Sequence, residues 1–135
     1  MVKTKWLVYT VIIGLIPFIV RFFVFLFYKE RTFDFLFSEI DFIVFGLILN
    51  LSNINELEDK INLDKIWKTK NIGYSVLQII VFSSILGLAY FSEIIKENLL
   101  DKNIIKICVF ILCIVSFLVS YSIFNRINCI ANGNN

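Results

Sequence analysis

Residues 6–28 read WLVYTVIIGLIPFIVRFFVFLFY, with Arg21 the one charge among them, and this stretch decides the class of the fold. As a helix rising about 1.5 Å per residue it is long enough to cross a hydrocarbon core roughly 30 Å thick. Lys3 and Lys5 precede it, as in a secretory leader, but the apolar run exceeds the length of a signal-peptide core and lacks a small-residue cleavage pattern. The stretch therefore predicts an uncleaved first span. Three more runs of similar character follow at 33–51, 72–91 and 104–124.

The whole composition agrees with this reading. Of 135 residues, 59% are hydrophobic and 18% charged, with a mean hydropathy of +0.83; soluble domains carry about 45–50% apolar and 25% charged residues. Fifteen Phe residues exceed what a small water-soluble domain can hide, because such a domain buries only roughly 60–70% of its surface. The expected fold is all-α and polytopic: four transmembrane helices in two hairpins, forming one domain over 1–135.

Several functional classes are disfavoured. There is no His, so no nucleophile has an imidazole base beside it, and catalysis is not expected. The 13 basic and 11 acidic residues form no basic stripe for nucleic acid. Cys108, Cys113 and Cys129 have neither the even count of a disulfide framework nor paired zinc-ligand spacing, and they read as small hydrophobes. No metal site or cofactor is expected.

Lys and Arg set the orientation, since cytoplasmic loops carry their excess. Lys3, Lys5, Lys60, Lys65, Lys68, Lys70 and Arg126 fall on one side; Lys29, Arg31, Lys96, Lys102 and Lys106 fall on the other. The bias predicts that both termini and segment 52–70 are cytoplasmic, in a plasma membrane of bacterial inner-membrane type. Trp6, Tyr28, Trp67, Tyr90 and Tyr121 lie near span ends, where amphipathic aromatics settle.

Charge inside the spans is the main functional signal. Arg21, Glu39 and Asp41 lie within predicted spans, where an unpaired charge costs about 2.5–3.5 kcal/mol on insertion scales. Arg21 and Asp41 stand ten residues to either side of Arg31 in the first turn. Equal distance from the turn of an antiparallel pair means equal depth, so Arg21 is expected to meet Asp41 or Glu39. Asp34, Ser38 and Asp41 share one helical face; Glu39, Gly46, Asn50 and Asn53 share another. Two polar faces predict a water-filled cavity or a contact with another subunit. Thr10, Gly14, Pro17 and Arg21 share a face of span one, predicting its inner wall with a kink at the proline. Ser83, Ser84 and Gly87 in span three, and Ser116 and Ser120 in span four, have the small-residue spacing of close helix contacts.

No Gly or Pro interrupts the chain between Gly46 and Gly73. This predicts that the second helix runs from residue 33 to about residue 70, roughly 55 Å, and projects into the cytoplasm. Leu57, Ile61, Lys65, Ile66 and Trp67 on that extension are the expected docking surface for a cytosolic protein by helix-in-groove contact.

This form, about four spans in a short chain that is Lys-rich at its start and charged in its middle, resembles small bacterial phage-defence membrane proteins, namely the Kiwa membrane subunits and the RexB phage-exclusion proteins. The resemblance covers topology across the whole chain and carries no motif, so no residue role follows from it. Small multidrug transporters are of similar size, but their pattern has a lone Glu in the first span, where this chain has Arg21. Two functions are expected. One is a non-enzymatic oligomeric membrane subunit, sensor or anchor for a cytosolic partner, in antiphage defence. The alternative is an ion channel or permeabilising effector whose pore is lined by Arg21, Glu39, Asp41 and Asn50.

Overall fold

The computed structural model describes residues 2–29, 37–60, 63–94, 101–131 and 133, and those described form helices and short connections. Helix α1 (Val2–Trp6) runs through a π-helical turn (Leu7–Val11) into α2 (Ile12–Phe27). Then come α3 (Glu39–Asp59), α4 (Lys65–Ile94) and α5 (Lys102–Ala131). The described residues thus hold four helices long and apolar enough to cross a membrane: Thr4–Phe27, Glu39–Asp59, Lys65–Phe91 and Lys102–Ala131. The expected turn at 29–32 and the third connection fall largely outside the described residues.

The first helix departs from α geometry early. Its wide π turn ends at Val11, whereas α2 continues through Pro17 as regular helix.

The projecting second helix is not formed. α3 stops at Asp59, and Lys60 is extended at φ −90°, ψ 112°. A new helix starts five residues later because Asp64 caps it: its Oδ1 accepts the Ile66 N–H at 3.2 Å and its carbonyl the Lys68 N–H at 2.9 Å. Such a cap satisfies donors that a helix start leaves exposed. The Lys68 ammonium closes the other side, donating to the carbonyls of Glu58 at 3.0 Å and Lys60 at 3.1 Å. An aspartate opens α5 in the same way, with Asn103 N–H bonded to Asp101 Oδ1 at 2.9 Å. Residues 52–59 therefore belong to α3 and residues 65–70 to α4.

α3 is the central element, packed against α2, α4 and α5. Contacts advance along α3 as they retreat along α4: Ile43 clusters with Phe82, Leu57 with the region of Trp67 and Ile72. Against α5 they advance together, from Val109 beside Ile43 to Ser120 beside Asn53. Against α2 and the π turn before it they retreat, from Arg21 at Asp41 to Thr10 at Ser52. One end of the bundle thus collects Lys5, Lys60, Lys65, Lys68, Lys70 and Arg126, and the opposite end Lys29, Lys102 and Lys106.

Two close approaches fix the packing. A Cβ at Gly46 would collide with the ring of Phe82, and one at Gly14 would lie 2.6 Å from Phe45 Cδ2. Trp6, near the start of the first span, packs inward: it is 3% exposed and stacks on Phe124 at 4.7 Å. Within the most apolar window of each long helix, the buried share is 6%, 44%, 22% and 33% in chain order. The first helix is the outer stave, and α3 to α5 carry the core.

Candidate functional site: an ion pair, a polar seam and a groove

The inner face of the first helix meets α3 through Thr10, Gly14, Phe18, which packs edge-on against Phe42 at 4.9 Å, and Arg21. The hydroxyls of Thr10 and Ser52 hydrogen-bond at 2.9 Å, Gly14 admits Phe45, and Pro17 is half-buried beside them. One turn further, Arg21 meets Asp41. Its Nε donates to Oδ2, and its Nη2 donates to Oδ1 at 3.3 Å. This forked arrangement fits the planar guanidinium to both carboxylate oxygens. Asp41 is buried at 6% exposure, so Arg21 supplies the charge that its burial demands. An apolar cavity of about 410 Å³, lined by Ile16, Pro17, Val20, Val24 and the pair itself, opens at this point.

Glu39 does not join the pair. It stands in the first turn of α3, where the helix dipole favours an acid, and it makes no ion pair among the described residues. Ser38 precedes that helix in extended conformation without a side-chain cap. Asp34 lies outside the described residues. Arg21, Glu39 and Asp41 are thus a pair and a separate acid rather than one cluster.

Asn50 and Asn53 face α5. Asn50 Nδ2 donates to Gly46 O at 2.8 Å and to Ser116 Oγ at 3.2 Å; Asn53 Nδ2 donates to Ser120 Oγ at 2.9 Å. All four side chains are fully buried, and α4 adds buried Ser75 and Gln78 to the same three-helix core. Gln78 Nε2 donates to the Tyr74 hydroxyl at 2.8 Å. Four oxygens, Asn50 Oδ1, Asn53 Oδ1, Ser75 Oγ and Gln78 Oε1, find no partner among the described residues. Ser75 and Gln78 were not anticipated; the visible signal was an amide side chain inside an apolar run.

The anticipated docking stripe is dispersed. Leu57 is fully buried in the core because it packs between α4 and α5. Ile61 lies outside the described residues. Lys65 and Ile66 open α4, with Ile66 exposed, and Trp67 is half-buried under the Arg126 guanidinium, 4.5 Å from its ring centroid.

A groove that the sequence did not signal flanks the π turn. Lys5, Trp6, Tyr9, Thr10, Ser52, Glu56, Lys60 and Phe124 line one cleft of about 370 Å³. A second, of about 360 Å³, shares Tyr9, Thr10, Ser52 and Glu56 and adds Ile13, Ile48, Leu51, Asn55 and Asp59. Wide π turns of this kind recur at functional sites. Comparisons of the chain with protein-family models, curated proteins and solved structures returned no match.

Proposed function

We propose that this protein is a non-enzymatic, multi-pass integral membrane subunit that assembles with copies of itself in the bilayer. The four long apolar helices support insertion, as do the large apolar side chains they turn outward, among them Phe22, Phe23, Ile107 and Leu118. Water does not tolerate such a surface, and lipid does.

One observation carries the assembly. Gly73, Leu77, Ile80, Ser84, Gly87 and Phe91 recur along α4 at alternating steps of four and three, and all are exposed. Positions 73, 80 and 87, and likewise 77, 84 and 91, recur every seven residues, the repeat of a left-handed helix seam. A Cβ on Gly73 or Gly87 would meet nothing within 4 Å, so a neighbouring helix has room to approach. The Ser84 hydroxyl already bonds Ile80 O at 2.8 Å, which lets the seam close without an unsatisfied donor. Small residues at this spacing bring membrane helices together where no hydrophobic effect drives them.

The test is the native mass of the protein extracted gently from its membrane. An oligomer is expected that Ser84→Ile with Gly87→Ile converts to monomer. A wild-type monomer, or an oligomer indifferent to the double change, sinks the reading. In this proposal the Lys-rich end faces the cytoplasm and anchors a cytosolic partner, the role the topological resemblance to phage-defence subunits suggests. Co-extraction of such a partner would support it.

The conducting alternative finds its support in the buried seam rather than in Arg21, whose charge is met by Asp41. The oxygens of Asn50, Asn53, Ser75 and Gln78, which have no partner among the described residues, favour water along α3. Ion flux into vesicles carrying the protein, lost in Asn50→Ala with Asn53→Ala, would favour conduction; no flux from the wild type would end it.

A further inference from the structure

We propose that the groove beside the π turn binds a phospholipid whose headgroup carries both a phosphate and a primary ammonium. The inference rests on the membrane reading above. Its two clefts meet across the Thr10–Ser52 hydrogen bond, and the groove is amphipathic along its length. Ile13, Ile48 and Leu51 lie toward the middle of the bundle, where acyl chains would run. The polar residues lie toward the Lys-rich end, at headgroup depth.

Charge selects the ligand. Glu56 is held by Lys60 at 3.2 Å. Lys5 on one side of the groove and Asp59 on the other are exposed, and neither makes an ion pair among the described residues. A ligand bearing one charge of each sign satisfies both. A purely anionic headgroup would set its phosphate against Glu56 and Asp59, and a quaternary ammonium has no N–H to donate to Asp59. Trp6, in the wall at the Lys5 end, keeps a buried indole N–H without an acceptor among the described residues; a phosphate oxygen seated there would supply one.

The experiment uses full-length protein in neutral detergent, offered equal amounts of phosphatidylethanolamine, phosphatidylcholine and phosphatidylglycerol with identical acyl chains, and bound lipid is counted by native mass spectrometry. One phosphatidylethanolamine is expected to be retained, with at least about fivefold preference, and Lys5→Ala and Asp59→Asn should each reduce retention by about fivefold, as loss of one charge-assisted contact implies. Ile107→Ala, at the opposite end of the bundle, should leave retention unchanged. Equal retention of the three lipids overturns the proposal, as does a phosphatidylethanolamine preference that survives Lys5→Ala with Asp59→Asn. Preference for phosphatidylglycerol would mean a basic surface rather than this groove. Failure of the membrane reading is seen separately, as protein released from membranes by alkaline carbonate without detergent.

Discussion

Arg21 and Asp41 neutralise each other where neither is tolerable alone, with side chains 25% and 9% exposed. Removing one partner from a buried pair costs about 3–5 kcal/mol, because the other is left desolvated. Arg21→Ala and Asp41→Ala are each expected to lower the melting temperature in detergent, and the double variant to recover part of the loss, with a coupling of about 0.5–3 kcal/mol. Strictly additive losses would show that the pair does not stabilise the fold. Gly46 tests the opposite fault, overpacking. Gly46→Ala drives a methyl group into the Phe82 ring and should cost about 1–3 kcal/mol, partly recovered by Phe82→Leu. At this scale the sequence was most legible where depth could be counted. Arg21 and Asp41 are equidistant from Arg31, and they meet; the helical period put Asp41 and Glu39 on different faces, and the count left open which of them would face the arginine. The Gly46 and Phe82 contact depends on the rotation of α4 about its own axis, which spacing alone leaves open.

The break between α3 and α4 is built by polar side chains, and for that reason it was harder to read. The stretch from Gly46 to Gly73 lacks the usual helix breakers, so its apolar spacing predicted one rod. The competing signal was Asp64 immediately before the long apolar helix, a residue type that favours the cap over the helix interior. Asp64→Ala should destabilise the start of α4 by about 0.5–2 kcal/mol, visible as faster amide exchange at residues 65–68 with little change at Phe82. Unchanged exchange there would mean that packing of Leu63 and Trp67 against the core, and not the cap, sets the boundary. Lys68→Met removes the ammonium that bridges Glu58 O and Lys60 O and should loosen the same corner from the α3 side.

Across the whole molecule, the four long apolar helices were plain in the sequence, whereas their unequal burial was not. Run length and composition report that a helix is apolar; which of its faces meets protein depends on every neighbour at once. The packing order predicts sidedness. With Cys108, Cys113 and Cys129 replaced, single cysteines at Lys5, Asp59 and Arg126 should react with an impermeant maleimide from one side of the membrane, and those at Lys29 and Lys102 from the other. Labelling of Lys5 and Arg126 from opposite sides would refute the arrangement. The peripheral first helix also bears on how the chain would be built. In a membrane, Arg21 would leave the ribosome with no carboxylate to meet, since Asp41 lies twenty residues downstream and is synthesised about 1–4 s later. Until then the guanidinium would favour the aqueous interior of the insertion machinery over lipid. Release of the first helix would then wait on arrival of the second, which would make a salt bridge that reads as a static clamp a timing device for biogenesis.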